Sequence, residues 1–131
     1  MKRTFDIGKI IASFKAHERY ARIGMIATHL GIVRGDSRKG GAKVTAVEVA
    51  YDRNKISNIV KDIENMPGIV KVVIDVNEGY LKTGEEIMMV AVGGDIREHV
   101  FHALEMAVNR IKKEASRKKE FFAEKEAEQW V

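Results

Sequence analysis

The chain has 131 residues, 45% of them hydrophobic and 32% charged, with a single proline, which is one domain's length and a globular composition outside the disordered and collagen-like classes. No apolar run approaches the roughly 18 residues of a membrane span, and Met1 to Asp6 lacks a signal-peptide core, so one cytoplasmic domain over residues 1–131, without membrane association, is expected. Zero cysteines exclude disulfides, thiolate zinc sites, iron–sulfur ligation and cysteine nucleophiles, and 23 Lys and Arg against 19 Asp and Glu give a formal charge of +4 that favours anionic partners.

Ile10 to Tyr20, with Ile10, Ile11 and Phe14 among charged residues, predicts a short amphipathic helix. Met25 to Val33 reads as a buried strand, followed by the loop Arg34-Gly35-Asp36-Ser37-Arg38-Lys39-Gly40-Gly41. Lys43 to Tyr51 alternates as a second strand, and Ile56, Ile59, Val60, Ile63 and Met66 follow helical spacing up to Pro67-Gly68. The β-branched run Ile69 to Val76 is a third strand, and Glu86 to Val92 a fourth, joined through Gly79 to Gly84. Asp95, with Glu98 three residues on, is the expected N-cap of a long last helix whose stripe runs Val100, Phe101, Leu104, Val108, Ile111, Ala115 and on to Phe122. Adjacent strands interrupt the helices, so the fold class is α+β: a mixed or antiparallel sheet with a helix after the second strand and a long C-terminal helix.

The glycine loop lacks the Gly-Lys-Ser/Thr order of a nucleotide-binding P-loop, because Gly40 is followed by Gly41 and Ala42. Two readings stay open for it: a solvated hairpin loop, or backbone amides that bind a smaller phosphate with help from Arg34, Arg38 and Lys39. His99 and His102 lie three apart, but spacing implies no third ligand, so no metal site is expected. On the last helix Lys112 and Lys119, seven apart, fall on one flank of the apolar stripe. Either their stems snorkel along apolar surface, or partial burial and mutual repulsion lower their pKa values for proton transfer or attack on an acyl carbon. Arg110, Lys113 and Arg117 point away, toward solvent or a partner.

These motifs, in this order, resemble the large, catalytic subunit of molybdopterin synthase. Gly31-Ile32-Val33-Arg34 is similar to the family's strand-ending Gly-x-Val-Arg, and Val49-Ala50-Tyr51 to its Glu-Ala-Tyr. Gly79-Tyr80-Leu81 with Gly84-Glu85-Glu86-Ile87 matches its Gly-x-Leu-x-x-Gly-Asp/Glu-Glu-Ile; Arg97 with Val100-Phe101 matches its Arg-x-x-Ala-Phe; and Trp130-Val131 matches its closing Trp-Val. The resemblance implies an α/β-hammerhead-like fold and a sulfurtransferase. Such an enzyme takes sulfur from the C-terminal thiocarboxylate of a small ubiquitin-like carrier and transfers it to cyclic pyranopterin monophosphate, making the molybdopterin dithiolene. It further implies a homodimer with one carrier on each subunit, no cofactor, Arg34 and Arg97 as anion binders, and Lys112 and Lys119 as catalytic lysines, with Lys118 of little consequence. The chain departs from the family at Ile96, where a histidine is common, at Val49, and at Ser116-Arg117-Lys118, where a proline and an aromatic pair are usual. The alternative is a non-catalytic ferredoxin-like module drawn from Val44 to Val92, with the basic last helix binding nucleic acid. Tyr51 and Tyr80 supply no dense aromatic motif for it, and no specific nucleic acid is expected.

Overall fold

From Met88 to Gly94 every residue of strand β5 (Glu86–Gly94) is buried, so both of its faces must be covered. In the computed structural model, which describes residues 4–38, 40–123 and 128–130, β1 (Met25–Ile32) and β3 (Ile69–Val76) flank it, both antiparallel. Helices α2 (Arg53–Glu64) and α3 (Arg97–Arg110) close one face over a core that includes Ile59, Ile63, Val90, Val92, Val100 and Ala107. Helix α1 (Ile7–Lys15) covers the other by laying fully buried Phe14 on Gly93, where a Cβ would come within 2.5 Å of the ring. Asp6 and Asp52 start α1 and α2 by accepting from the amides of Lys9 and Lys55.

A second antiparallel sheet has the order β4 (Gly79–Lys82), β2 (Val44–Tyr51), β6 (Ser116–Phe122), β7 (Glu128–Trp130). Its inner face buries Val44, Val47, Val49 and Leu81 against Val33. Tyr51 and Ile87 touch both cores. Between β3 and β4, Glu78 accepts hydrogen bonds from the Tyr51 amide and from Arg53, fixing the end of β2 to the β3–β4 turn.

The α+β class and the antiparallel strands agree with the sequence reading; the last helix does not extend as far as its stripe. It stops at Arg110, passes through a π turn at Ile111–Ala115, and becomes β6. The physical reason is the edge of β2: residues 116–122 complete a seven-residue ladder along it, and such pairing overrides the helix propensity of the Arg, Lys and Glu residues in the run, which is worth only fractions of a kcal/mol per residue. Lys112 and Lys119 therefore share no helix edge. Asp95 is not the N-cap either: Ile96 holds that position without a side-chain cap, while Asp95 accepts from the Ile96 amide and bonds His99 at 2.7 Å. Phe101, expected in the stripe, is 56% exposed. The ferredoxin-like alternative fails on topology, since β2 and β4 lie in one sheet and β3 and β5 in the other. Lys39 and Val131 lie outside the described residues. No helix among the described residues is long and apolar enough to cross a membrane.

Candidate active site

Register decides which lysine of β6 faces inward. Directly opposed residues of an antiparallel pair project to the same side: Lys118 lies opposite Val49 and Glu120 opposite Val47, both on the buried face, whereas Lys119 lies opposite Glu48. Lys119 thus shares the outer face with Tyr80 and Trp130, its ammonium 4.5 Å from the Trp130 ring centre, with Arg117 at 4.3 Å from the same ring.

The inner face ends in a cluster of cations. Burial lowers the pKa of Lys118 from the ordinary lysine value, the Glu120 carboxylate opposes that shift, and the charges of Lys112, Arg34 and Arg38 add to it. Three segments supply these groups: the end of β1 and its loop give Arg34 and Arg38, the π turn gives Lys112, and β6 gives Lys118. Arg34 holds the loop's first turn by donating from Nε to the Asp36 carbonyl at 2.8 Å. Ser37, itself buried, donates from Oγ to buried Glu120 at 2.8 Å, which ties the glycine loop to β6 beside Lys118. The loop closes through the Ser37 amide to the Ala42 carbonyl, with Gly40 and Gly41 at φ 88° and 71°, a backbone region that side chains disfavour. Ser37→Ala leaves the carboxylate without this donor, and urea unfolding is expected to show a loss of about 1.5–3 kcal/mol, as for hydrogen bonds to charged groups.

Of the residues singled out in the sequence, Arg34, Arg38 and Lys112 come together; Arg97 and Lys119 do not join them. Arg97 and Lys112 stand at opposite ends of the α3 rod, fifteen residues or about 22 Å apart at the helical rise. The sheet gives the same answer: Gly94, just before α3, pairs with Met25, while Arg34 follows Ile32 at the far end of β1. Lys118 was passed over in the sequence for Lys119, although a helical period also puts it on the stripe, seven residues after Ile111 and four before Phe122; the period of two is what separates them, setting Lys118 with Glu120 on the buried sheet face and Lys119 on the outer one. His29 was missed too: burial first and the Lys112 charge second lower its pKa. Arg110 is not a free surface cation, since it binds Asp62 at 2.7 Å and Glu114 at 2.8 Å. Among the described residues no group of three or more His, Asp or Glu is placed to hold a metal.

With this geometry in view, the likenesses of the chain are informative. The model of the family described as MoaE protein matches residues 1–114, ending within the π turn and before β6. An uncharacterised protein, MJ0717 of Methanocaldococcus jannaschii, is 31% identical over 100 residues, 73% of this chain and 84% of that one. A molybdopterin synthase from Staphylococcus aureus superposes with a TM-score of 0.69 at 25% identity, over 87% of this chain and 88% of its own. A molybdopterin biosynthesis MoaE protein from Burkholderia ambifaria does so at 0.73 and 28% identity, over 98% and 84%.

Proposed function

The chain belongs to the MoaE family, that of the large subunit of molybdopterin synthase in molybdenum cofactor biosynthesis, and from that premise we propose that it is the sulfur-transferring subunit. In this reading it accepts the thiocarboxylate tail of a small ubiquitin-like carrier and passes the sulfur to cyclic pyranopterin monophosphate. The observation that supports it best is the convergence of Arg34, Arg38, Lys112 and Lys118 at one end of the two sheets. Both reactants are anionic, and a cluster of cations beside a buried carboxylate concentrates them in one place. Arginine suits the phosphate through its fixed fork of donors. Lys118 carries the demanding role: its depressed pKa enlarges the neutral amine fraction available to attack an acyl carbon or move a proton. Lys112 supplies charge for a developing acyl oxyanion. The chain has no cysteine to carry a persulfide, so the sulfur arrives on a partner.

Arg97 reaches such a pocket only from a second copy of the chain, and a homodimer in which α3 of one subunit points its first turn at the partner's cluster gives it that place. Single-turnover transfer from thiocarboxylated carrier to the cyclic pterin is the test of the function; robust transfer from free sulfide without a carrier would overturn it. Arg34→Ala and Arg97→Ala homodimers are each expected to bind the pterin weakly. Mixing the two should return part of the activity, because one pocket of each mixed dimer then has both arginines. Failure to recover on mixing, or sedimentation as a monomer at working concentration, removes Arg97 from the site.

A further inference from the structure

His29 occupies the helix-facing side of β1. Ala27, two residues earlier, packs on the core under α3, and strand alternation puts His29 and Gly31 on the same side. Val90, fully buried, lies directly opposite on β5. Gly31 has no side chain, and a Cβ built there would lie 3.6 Å from Nε2 of His29 and 3.0 Å from Cγ2 of Ile87. The imidazole therefore leans along β1 over Gly31, toward the end of the strand that Arg34 follows, in space that a larger residue at 31 would contest. The charge of Lys112, on the π turn, acts on the same ring. His29 thus borders, through Lys112, the cluster formed by Arg34, Arg38, Lys112 and Lys118, and it has no part in the roles assigned above.

We propose that His29 is the proton acceptor of this pocket, taking a proton from the water that replaces sulfur on the carrier's acyl carbon. The inference rests on the sulfur-transfer reading. Whatever the order of bond making at the pterin, the acyl carbon must exchange sulfur for oxygen. A C–O bond forms from water, the C–S bond breaks and its electron pair leaves on sulfur. Water sheds two protons in becoming the carboxylate oxygen; one goes to the departing sulfur and the other to Nε2 of His29, which later releases it to solvent. Lys118 already serves the sulfur-transfer step in that reading, and the arginines and Glu120 are poorly suited to this one. Arginines do not give up or take protons in this range, and Glu120 already accepts from Ser37. Burial and the Lys112 charge keep the imidazole neutral at pH 7, ready to accept.

The test is the pH dependence of single-turnover transfer, with thiocarboxylated carrier and cyclic pterin, in the parent and in His29→Gln. The parent rate should fall on the acid side with a midpoint below the ordinary histidine value of 6.5. His29→Gln should lower the rate at pH 7.5 by about 100-fold or more, lose that acid limb, and bind the pterin as the parent does. Added imidazole should restore part of the rate to His29→Ala. Transfer by the parent with an unchanged rate and limb in His29→Gln overturns the role of His29 alone, whereas no transfer by the parent overturns the functional reading and the inference with it. Should the variants misfold, NMR titration of His29 in the parent decides: a midpoint at or above 6.5 overturns the proposal, and one below it that rises in Lys112→Met supports it.

Discussion

Lys118→Arg should fold, bind its carrier and lose about 10²- to 10⁴-fold in single-turnover sulfur transfer, the range for removal of a positioned acid–base group, while Lys119→Arg should keep most of the parent's rate. Arginine preserves the positive charge at position 118 but stays protonated, so the comparison isolates the neutral amine. At position 119 an arginine keeps the contact with Trp130, which Arg117 already makes at 4.3 Å. The parent's rate should also rise with pH through a midpoint below the ordinary lysine value of 10.5, because burial and the neighbouring cations disfavour the protonated Lys118. The sign for stability is the same. Between the depressed folded value and 10.5 the unfolded chain binds more protons, so stability climbs with pH in that window and is reduced below it. Lys118→Met should flatten that slope. Equal rates for Lys118→Arg and the parent, with Lys119→Arg inactive, would return the catalytic role to Lys119.

The difference between the two lysines shows what the sequence made legible and what it did not. The strands around β5 were readable because dense β-branched runs such as Ile69 to Val76 have few alternatives, and β3 has those bounds in the structure. Arg34 and its glycine loop were readable because a strand-ending arginine followed by glycines is a local signal. Beyond Arg110 the local signal is ambiguous. Ile111, Ala115 and Phe122 fit a helical stripe, yet Lys118, Glu120 and Phe122 fit a strand equally well, and the choice between them is made by the unfilled edge of β2, some seventy residues away in sequence. A seven-residue spacing between two lysines therefore carried no geometric information once the helix ended between them. β4 was read as a connector because four residues opening on glycine offer too little period to count. The separation of Arg97 from Arg34 is a property of helix length and sheet register that no motif expresses.

Ile111→Ala is expected to cost about 2–5 kcal/mol, the range for truncating a fully buried isoleucine or leucine in a core that relaxes only in part. Ile111 is completely buried, joins the main core, and is the first residue of the π turn that converts α3 into β6. The turn is held at its far end by Ala115, which is buried and accepts at its carbonyl from the Asp52 amide at 2.8 Å. Between these two anchors stands Lys112, so the cavity left by the truncation lies under the backbone that aims it. Single π turns inside helices often sit at functional sites, because the altered period redirects the side chains that follow. Ile111→Val, which removes one methylene, should cost about 0.5–1.5 kcal/mol and leave Lys112 aimed. Urea unfolding gives the stabilities, and sulfur transfer measured on the folded fraction gives the second readout. If the turn positions Lys112, Ile111→Ala loses rate beyond its unfolded population while Ile111→Val does not. If both variants transfer sulfur in proportion to the folded protein present, the π turn only joins α3 to β6 and the aim of Lys112 is set elsewhere.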